Sequence, residues 1–226
     1  MSRSTDLDFW SEFRRTHGIV DDTQVAPGVD RVDYTKGILE RLAALERLWE
    51  TRPEWQEQLT FVQKATESRS LIPDYENLQQ RVDETINRIN NRFGTERWQP
   101  IIYINTVLPQ EELYGLYQHS DVLLVSAIRD GMNLVAKEYA AAQVNENGVL
   151  VLSDQTGAHE QLGDSALTTN PHDTEGFTAT IENALTTTDS ERRKRMSHLR
   201  QQIETHDVFV WTRYSRLQIP CETTIA

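Results

Sequence analysis

The strongest constraint on the fold is the alternation along the chain of short apolar runs and longer amphipathic stretches. The apolar runs, such as Val122–Val125 and Val149–Leu152, have the length of strands. Because short buried strands that alternate with amphipathic helices are typical of β-α units, the pattern predicts a parallel sheet with helices on both faces. No Gly/Ser-rich linker interrupts the repetition, so we expect an α/β chain with one Rossmann-like domain.

The apolar runs predict the strands, and apolar residues recurring every three or four positions predict the helices. The predicted strands are Val25–Val29, Leu59–Ala65, Pro100–Asn105, Asp121–Ser126, Gly148–Ser153 and Ala166–Thr169. The predicted helices are Asp6–His17, Ile38–Glu50, Pro73–Phe93, Pro109–Gln118, Asn133–Gln143, one beginning within Thr156–Leu162, Asp173–Leu185, Ser190–Thr205 and Val208–Leu217. Pro27 is unexpected beside the first strand, because central strands disfavour proline.

Composition argues against several classes of function. The net charge of −12 is unsuited to a general nucleic-acid-binding protein, which needs a basic surface for phosphates. No apolar run approaches the roughly 20 residues that span a bilayer, and no apolar leader follows Met1, so we expect a cytoplasmic protein without a membrane partner. The single cysteine, Cys221, excludes an internal disulfide, and no Cys/His cluster has the spacing of a zinc site.

The segment between the first predicted strand and its helix carries two cations, Arg31 and Lys36. In such sheets, ligands bind beyond the carboxyl ends of the strands, where helix N-termini also point. Two cations beside a helix N-terminus favour a diphosphate site. The alternative, for these residues taken alone, is that both are solvated loop charges.

The segment after the strand Asp121–Ser126 is the second candidate. Asp130 and Glu138 lie eight positions apart, about two helical turns, so they can contact opposite ends of one ligand. Glu138 alone could equally be an ordinary exposed helix residue. The residues expected to bring backbone N–H groups or close backbone approach to a sugar or pyrophosphate are Gly131, Met132, Asn133 and Leu134.

Taken together, the segments resemble the trehalose-6-phosphate synthases, and the related glucosylglycerol-phosphate synthases share most of them. The phrases VDRVDYTKGILERL, RINNRFG, RDGMNLVAKEYAAAQ and GVLVLSDQTGAHEQL occur in the family's order, from about Gly28 to about Lys194. The resemblance implies the C-terminal, donor-binding half of a two-domain GT-B glycosyltransferase, without its N-terminal acceptor domain. It divides the chain into a connecting helix, 1–20, and a nucleotide-sugar-binding domain with C-terminal helices, 21–226.

The resemblance also implies roles for individual residues. Arg31 and Lys36 would hold the diphosphate of UDP-glucose and stabilise the departing nucleotide, and Asp130 would bind glucose hydroxyls. These three are the expected catalytic residues. Glu138 would bind the ribose, and the Gly131–Leu134 backbone would support sugar and phosphate.

Two further contacts are implied in the same way. The base would pack near Leu108, and Arg69 would contact the phosphate of the acceptor, glucose 6-phosphate. An arginine suits that phosphate, because its planar fork can donate two hydrogen bonds to it.

The implied reaction is a retaining transfer of glucose from UDP-glucose to glucose 6-phosphate, which gives trehalose 6-phosphate. It needs no cofactor and no metal, since the cations neutralise the leaving diphosphate. The sugar substrates are the expected partners, and a separate acceptor-domain chain or a homo-oligomer would complete the cleft, without which little activity is expected. The alternatives are a glucosylglycerol-phosphate synthase, a non-catalytic nucleotide-sugar-binding or regulatory subunit, and a truncated product.

Overall fold

The computed structural model describes residues 3–66 and 73–205, with side chains from Phe9 onwards. Its strands are β1 (Gln24–Arg31), β2 (Leu59–Thr66), β3 (Ile101–Ile104), β4 (Val122–Val125), β5 (Val149–Ser153) and β6 (Leu167–Thr169). Its helices are α1 (Arg3–Thr16), α2 (Ile38–Thr51), α3 (Pro73–Phe93), α4 (Gln110–His119), α5 (Leu134–Ala142), α6 (Ala158–Leu162), α7 (Thr174–Thr186) and α8 (Asp189–Thr205).

The strands form two parallel three-stranded sheets, ordered β1-β2-β3 and β4-β5-β6. β1 and β4 lie side by side, and the Asp121 amide just before β4 donates to the Val25 carbonyl over 2.9 Å. The spatial order is therefore 3-2-1-4-5-6, which is the doubly wound order. The prediction of a Rossmann-like parallel fold is confirmed.

Pro27 lies within β1, opposite Val62 of β2. The Gln24 amide donates to the Gln58 carbonyl, and the Val32 amide donates to the Thr66 carbonyl at the end of β2. The backbone N–H groups of the even-numbered residues of β1 therefore point towards β2. Pro27 therefore has its backbone nitrogen on the β4 side, where β1 is the edge of its own sheet. A proline is tolerated there because no ladder hydrogen bond is lost.

Helices cover both faces of the strands, as predicted. On one face α2, α3 and α7 bury a single core against both sheets, and Trp49 and Trp98 meet edge to face within it, with ring centroids 5.8 Å apart. On the other face α1 and α4 pack against the first sheet, and α5 and α8 against the second. A core shared by the two sheets fixes their relative position, and with it the loops at their common carboxyl edge.

Most predicted elements agree with the observed ones to within a few residues. The helix predicted to begin with Thr156–Leu162 begins at Ala158, because residues 154–157 form a turn in which Thr156 makes an isolated β-bridge with Asp130. The predicted helix Val208–Leu217, together with Arg69 and Cys221, lies outside the described residues. No helix among the described residues is long and apolar enough to cross a membrane.

Candidate functional site

Two loops meet at the carboxyl edge of the strands, the β1–α2 loop (residues 32–37) and the β4–α5 loop (residues 126–133). The Thr35 carbonyl accepts hydrogen bonds from the Ile128 amide at 2.8 Å and the Arg129 amide at 3.2 Å. The Ser126 hydroxyl lies 2.8 Å from the Gly37 carbonyl, to which it donates. These contacts make the two loops one structural unit.

Gly37 permits this close approach. Its φ of +62° is in the left-handed region, and a Cβ at this position would lie 2.0 Å from the Ser126 carbonyl oxygen. Any other residue would force the loops apart as well as strain the backbone.

Asp33 shapes the β1–α2 loop from within. Its Oδ1 accepts from the Thr35 amide at 3.0 Å and the Thr35 hydroxyl at 2.8 Å, which caps a 3-10 turn over Tyr34–Lys36. Burial raises the pKa of Asp33, but the hydrogen bonds from Thr35 and the nearby Arg31 and Lys36 outweigh it, so the pKa lies below its usual range. The capped turn positions Lys36 over the neighbouring loop.

Lys36 and Asp130 form an ion pair between the two loops. The Nζ–Oδ2 distance is 2.6 Å, and the side chains are 18% and 16% exposed. Burial raises the pKa of Asp130, but Lys36 and the hydrogen bonds from Met132 and Asn133 outweigh it and hold the pKa below its usual range. Asp130 is therefore a carboxylate at neutral pH, and it can only accept hydrogen bonds.

The backbone donors of the β4–α5 loop point to Asp130. Its Oδ1 lies 3.4 Å from the Met132 nitrogen and 3.3 Å from the Asn133 nitrogen. We expected these N–H groups to face a ligand, but a carboxylate two and three residues earlier in the chain is a closer acceptor. Leu134 opens α5, so its N–H has no acceptor within the helix.

Asn133 holds the start of α5 in place. It has a left-handed backbone with φ +55°, its Oδ1 caps the Ala136 amide at 3.0 Å, and its Nδ2 donates to Asp130 Oδ2 at 3.1 Å. Gly131 is exposed, and its carbonyl oxygen is so close to Gly157 that a Cβ on Gly157 would lie 2.0 Å away. The turn after β5 therefore supports the β4–α5 loop from below.

Glu138 lies on the exposed side of α5, one turn beyond its first residue. The buried Tyr117 hydroxyl approaches its Oε2 to 3.5 Å. Burial, and then the negative charge of Glu138, raise the pKa of Tyr117, so the hydroxyl keeps its proton and can donate to the carboxylate. Glu138 is thus oriented by a core residue, which an ordinary surface glutamate does not require.

Arg31 and Leu108 complete the described part of the predicted site. Arg31 ends β1 with an exposed side chain and makes no hydrogen bond or ion pair to the residues described. Leu108 is half-buried against the core formed with α1 and α4, while the adjacent Val107 is 81% exposed. The described residues include no group of three or more His, Cys, Asp or Glu that could hold a metal ion.

Sequence reasoning missed the residues beneath the loops, above all Arg41, Asp30 and Ser126. A signal for Arg41 was present, because it precedes Leu45 and Leu48 by four and seven positions and so lies on the apolar face of α2. A charged residue on a buried helix face needs a partner, and here the partner is Asp30.

Comparison with known proteins places this geometry in a family. The trehalose-6-phosphate synthase of Mycobacterium leprae is 43% identical over 186 residues, which cover 82% of this chain and 37% of the relative. A bifunctional trehalose-6-phosphate synthase/phosphatase of Thermoproteus tenax is 36% identical over 208 residues, covering 92% of this chain and 28% of the relative.

Solved structures give the same result. A UDP-forming α,α-trehalose-phosphate synthase from Burkholderia xenovorans superposes with a TM-score of 0.85 at 34% identity, covering 94% of this chain and 49% of that one. The E. coli protein bound with UDP-2-fluoroglucose superposes with a TM-score of 0.86 at 35% identity, covering 92% of this chain and 47% of that one.

The fold is therefore that of a GT-B glycosyltransferase. Residues 15–219 match glycosyltransferase family 20, and the chain belongs to that family. The predicted resemblance to trehalose-6-phosphate synthases is confirmed. The chain spans about half the length of the solved structures it matches, in agreement with the predicted C-terminal half.

The ion pair between the loops leads to the first prediction. Replacing Lys36 with methionine should raise the pKa of Asp130 towards or above the usual value of about 3.9, because the burial that opposes ionisation remains while its main counter-charge is lost. The change is measured by carbon NMR titration of the Asp130 carboxyl group. R129M is the matched control, since Arg129 is exposed and adjacent in sequence but does not contribute to this shift. Equal pKa shifts in the two variants would contradict the prediction.

Proposed function

We propose that this chain is the donor-binding half of a trehalose-6-phosphate synthase. The reaction transfers glucose from UDP-glucose to glucose 6-phosphate with retention at the anomeric carbon. The observation that carries the proposal is the convergence of Lys36 and Asp130, 94 positions apart in sequence, at a 2.6 Å contact on the carboxyl edge of the sheet. A cation for phosphate and an acceptor for sugar hydroxyls then lie in one crevice.

The cations would act on the diphosphate. Arg31 ends β1, Lys36 lies on the loop that precedes α2, and the N–H of Leu134 lies at the start of α5. Negative charge grows on the diphosphate as the glycosidic bond breaks, and fixed cations stabilise that charge without reorganising. This is the reason to expect no metal: the positive charge needed by the leaving group is supplied by side chains.

Asp130 would recognise the glucose. As a carboxylate it accepts hydrogen bonds from hydroxyl groups, and its two backbone hydrogen bonds, at 3.3 and 3.4 Å, are long enough to exchange for shorter ones. Glu138, oriented by Tyr117, would accept from the ribose hydroxyls, and Leu108 would support the base. The relation of the chain to a protein solved with UDP-2-fluoroglucose supports this donor.

The carboxylate that interacts with Asp130, Asp30, is buried and paired with Arg41, so these two groups do not suit the roles of nucleophile and acid. Retaining glycosidases hold two such carboxyl groups about 5 Å apart, whereas Asp130 is committed to Lys36. A front-face departure assisted by the substrate is the mechanism that needs no protein nucleophile. The diphosphate itself would then accept the proton of the incoming hydroxyl.

This chain provides only a small part of the proposed acceptor site. Arg69, between β2 and α3, is our proposed contact to the acceptor phosphate, and a second chain or a further domain would provide the opposite wall of the cleft. A B. xenovorans relative has been solved with glucose 6-phosphate, which favours this acceptor over the glycerol 3-phosphate of glucosylglycerol-phosphate synthases. A cytoplasmic location stays a prediction from the sequence.

UDP binding provides the direct test. The chain should bind UDP in isothermal titration calorimetry, and R31A and K36A should each weaken binding by about 10–100-fold, the usual effect of losing a hydrogen bond between charged groups. R193A and K194A are matched controls, because both side chains are exposed on α8 and the change in net charge is the same. An absence of binding heat, or equal losses in controls and site variants, would overturn the proposal.

Asp130 gives a sharper test of donor recognition. D130N removes the carboxylate that neutralises Lys36, so affinity for UDP should rise severalfold while the advantage of UDP-glucose over UDP is lost. Both affinities are measured by calorimetry on the same protein. If the ratio of the two affinities is the same in D130N and the unmodified chain, Asp130 does not contact the sugar.

Transfer itself is tested with the acceptor half supplied. The chain is incubated with UDP-glucose and glucose 6-phosphate, alone and with the acceptor-side half of the B. xenovorans relative. Because each half lines only one wall of the cleft, trehalose 6-phosphate should form only in the mixture, and proton NMR should show both anomeric protons as α. A β-linked product would refute retention, and a product from glycerol 3-phosphate would refute the acceptor.

A further inference from the structure

Arg41 lies beneath the two loops with its side chain fully buried. Its Nη2 donates to Asp30 Oδ2 at 2.5 Å, its Nη1 to the Leu124 carbonyl at 3.1 Å, and its Nε to the Ser126 hydroxyl at 3.0 Å. Asp30 belongs to β1, while the other two acceptors lie at the end of β4. One side chain therefore bridges the two strands where no ladder joins them.

Each contact of Arg41 leads directly to a site residue. Asp30 precedes Arg31 in the chain, so fixing the Asp30 side chain fixes the point at which Arg31 leaves β1. Ser126 lies 3.1 Å from the Lys36 carbonyl, so the same guanidinium also orients the backbone that carries Lys36. The contacts thus reach both cations of the site from below.

The space for the guanidinium is formed by Gly28. A Cβ on Gly28 would lie 1.7 Å from Arg41 Nη1, so only glycine at this position in β1 leaves room for it. The Phe61 ring also borders this space, with its centroid 5.8 Å from the guanidinium carbon. Close neighbours and three hydrogen-bond acceptors therefore hold the Arg41 guanidinium in place.

Stability does not account for a buried pair of this kind. Burial raises the pKa of Asp30 above its usual range, and the neighbouring Arg41 opposes that shift only in part, so the pair carries a cost of desolvation. Buried ion pairs can often be replaced by apolar residues without loss of stability, because desolvation offsets their attraction. What such a pair does supply is fixed geometry.

We propose that Arg41 is a positioning residue of the donor site, which sets the spacing between the β1–α2 and β4–α5 loops and so aligns Arg31 and Lys36 with Asp130. The proposal rests on the proposed donor function. It assigns the effect of Arg41 to donor affinity rather than to folding alone. If the loops are correctly spaced in only a tenth of the molecules, the apparent dissociation constant rises about tenfold.

The test compares R41K with R192K. Lysine at position 41 can still pair with Asp30 but cannot reach Leu124 and Ser126 at once, because its ammonium is a point donor without the fork of arginine. Arg192 is a second buried arginine, 8% exposed, at the opposite end of the strands, where it donates to carbonyls of Asp121 and Asn147. It therefore controls for loss of a buried guanidinium away from the site.

Three quantities are measured for each variant: the melting temperature, the dissociation constant for UDP, and the hydrogen exchange of the Ile128 and Arg129 amides, which bond to Thr35. R41K should weaken UDP binding about tenfold and speed exchange of these two amides by a similar factor. R192K should lower the melting temperature without either effect. R41Q serves as a second variant where R41K does not fold.

The outcomes separate this inference from the donor function. If R41K changes affinity and exchange no more than R192K does, Arg41 is only structural and the inference is overturned. If the unmodified chain does not bind UDP, the donor function fails, and the exchange rates alone then decide whether Arg41 spaces the loops. Faster exchange at Ile128 and Arg129 in R41K upholds the spacing, and unchanged exchange overturns it.

Discussion

The whole site depends on the contact between β1 and β4, where the chain switches from one sheet to the other. Loops that leave adjacent strands at such a point diverge and open a crevice. Here β1 and β4 are adjacent but are not joined by a ladder of backbone hydrogen bonds, and the nitrogen of Pro27 lies on the side of β1 that faces β4. The Arg41–Asp30 pair lies between the two strands, under the loops. The crevice therefore has a floor made of charged groups that are already satisfied, which leaves Arg31, Lys36 and Asp130 above it for a ligand.

The charges above this floor are mutually balanced. Lys36 and Asp130 neutralise each other at 2.6 Å, and Met132 and Asn133 direct their amides at the same carboxylate. A ligand must compete with this pair: a phosphate alone meets Asp130 as a repulsive neighbour, and a sugar that takes over Asp130 leaves Lys36 without its partner. A molecule that carries both a diphosphate and a sugar has a group for each of them. In the proposed donor function, the pairing would favour an activated sugar over either of its parts.

The fold and the charged site residues were largely predictable because each depends on a pattern within a short stretch of sequence. Apolar runs defined the strands, helical periodicity defined α2 and α5, and the position of Arg31, Lys36 and Asp130 after strand ends followed from the β-α order. The resemblance then supplied roles that no spacing could. The buried Arg41–Asp30 pair was harder to predict from the sequence. Arg41 lies on a helix with several other charged residues, and its burial depends on Asp30 and Ser126 from other elements.

The sequence by itself determined the elements, their parallel order and the polar residues at the edge of the sheet, because hydrophobic periodicity and loop chemistry act over a few residues. Tertiary structure alone decided which partners those residues take. The 2.6 Å contact of Lys36 with Asp130 and the burial of Arg41 against Asp30 and Ser126 both join segments that are brought together by the packing of other elements. Such contacts depend on how whole strands and helices pack, which no local pattern of residues encodes.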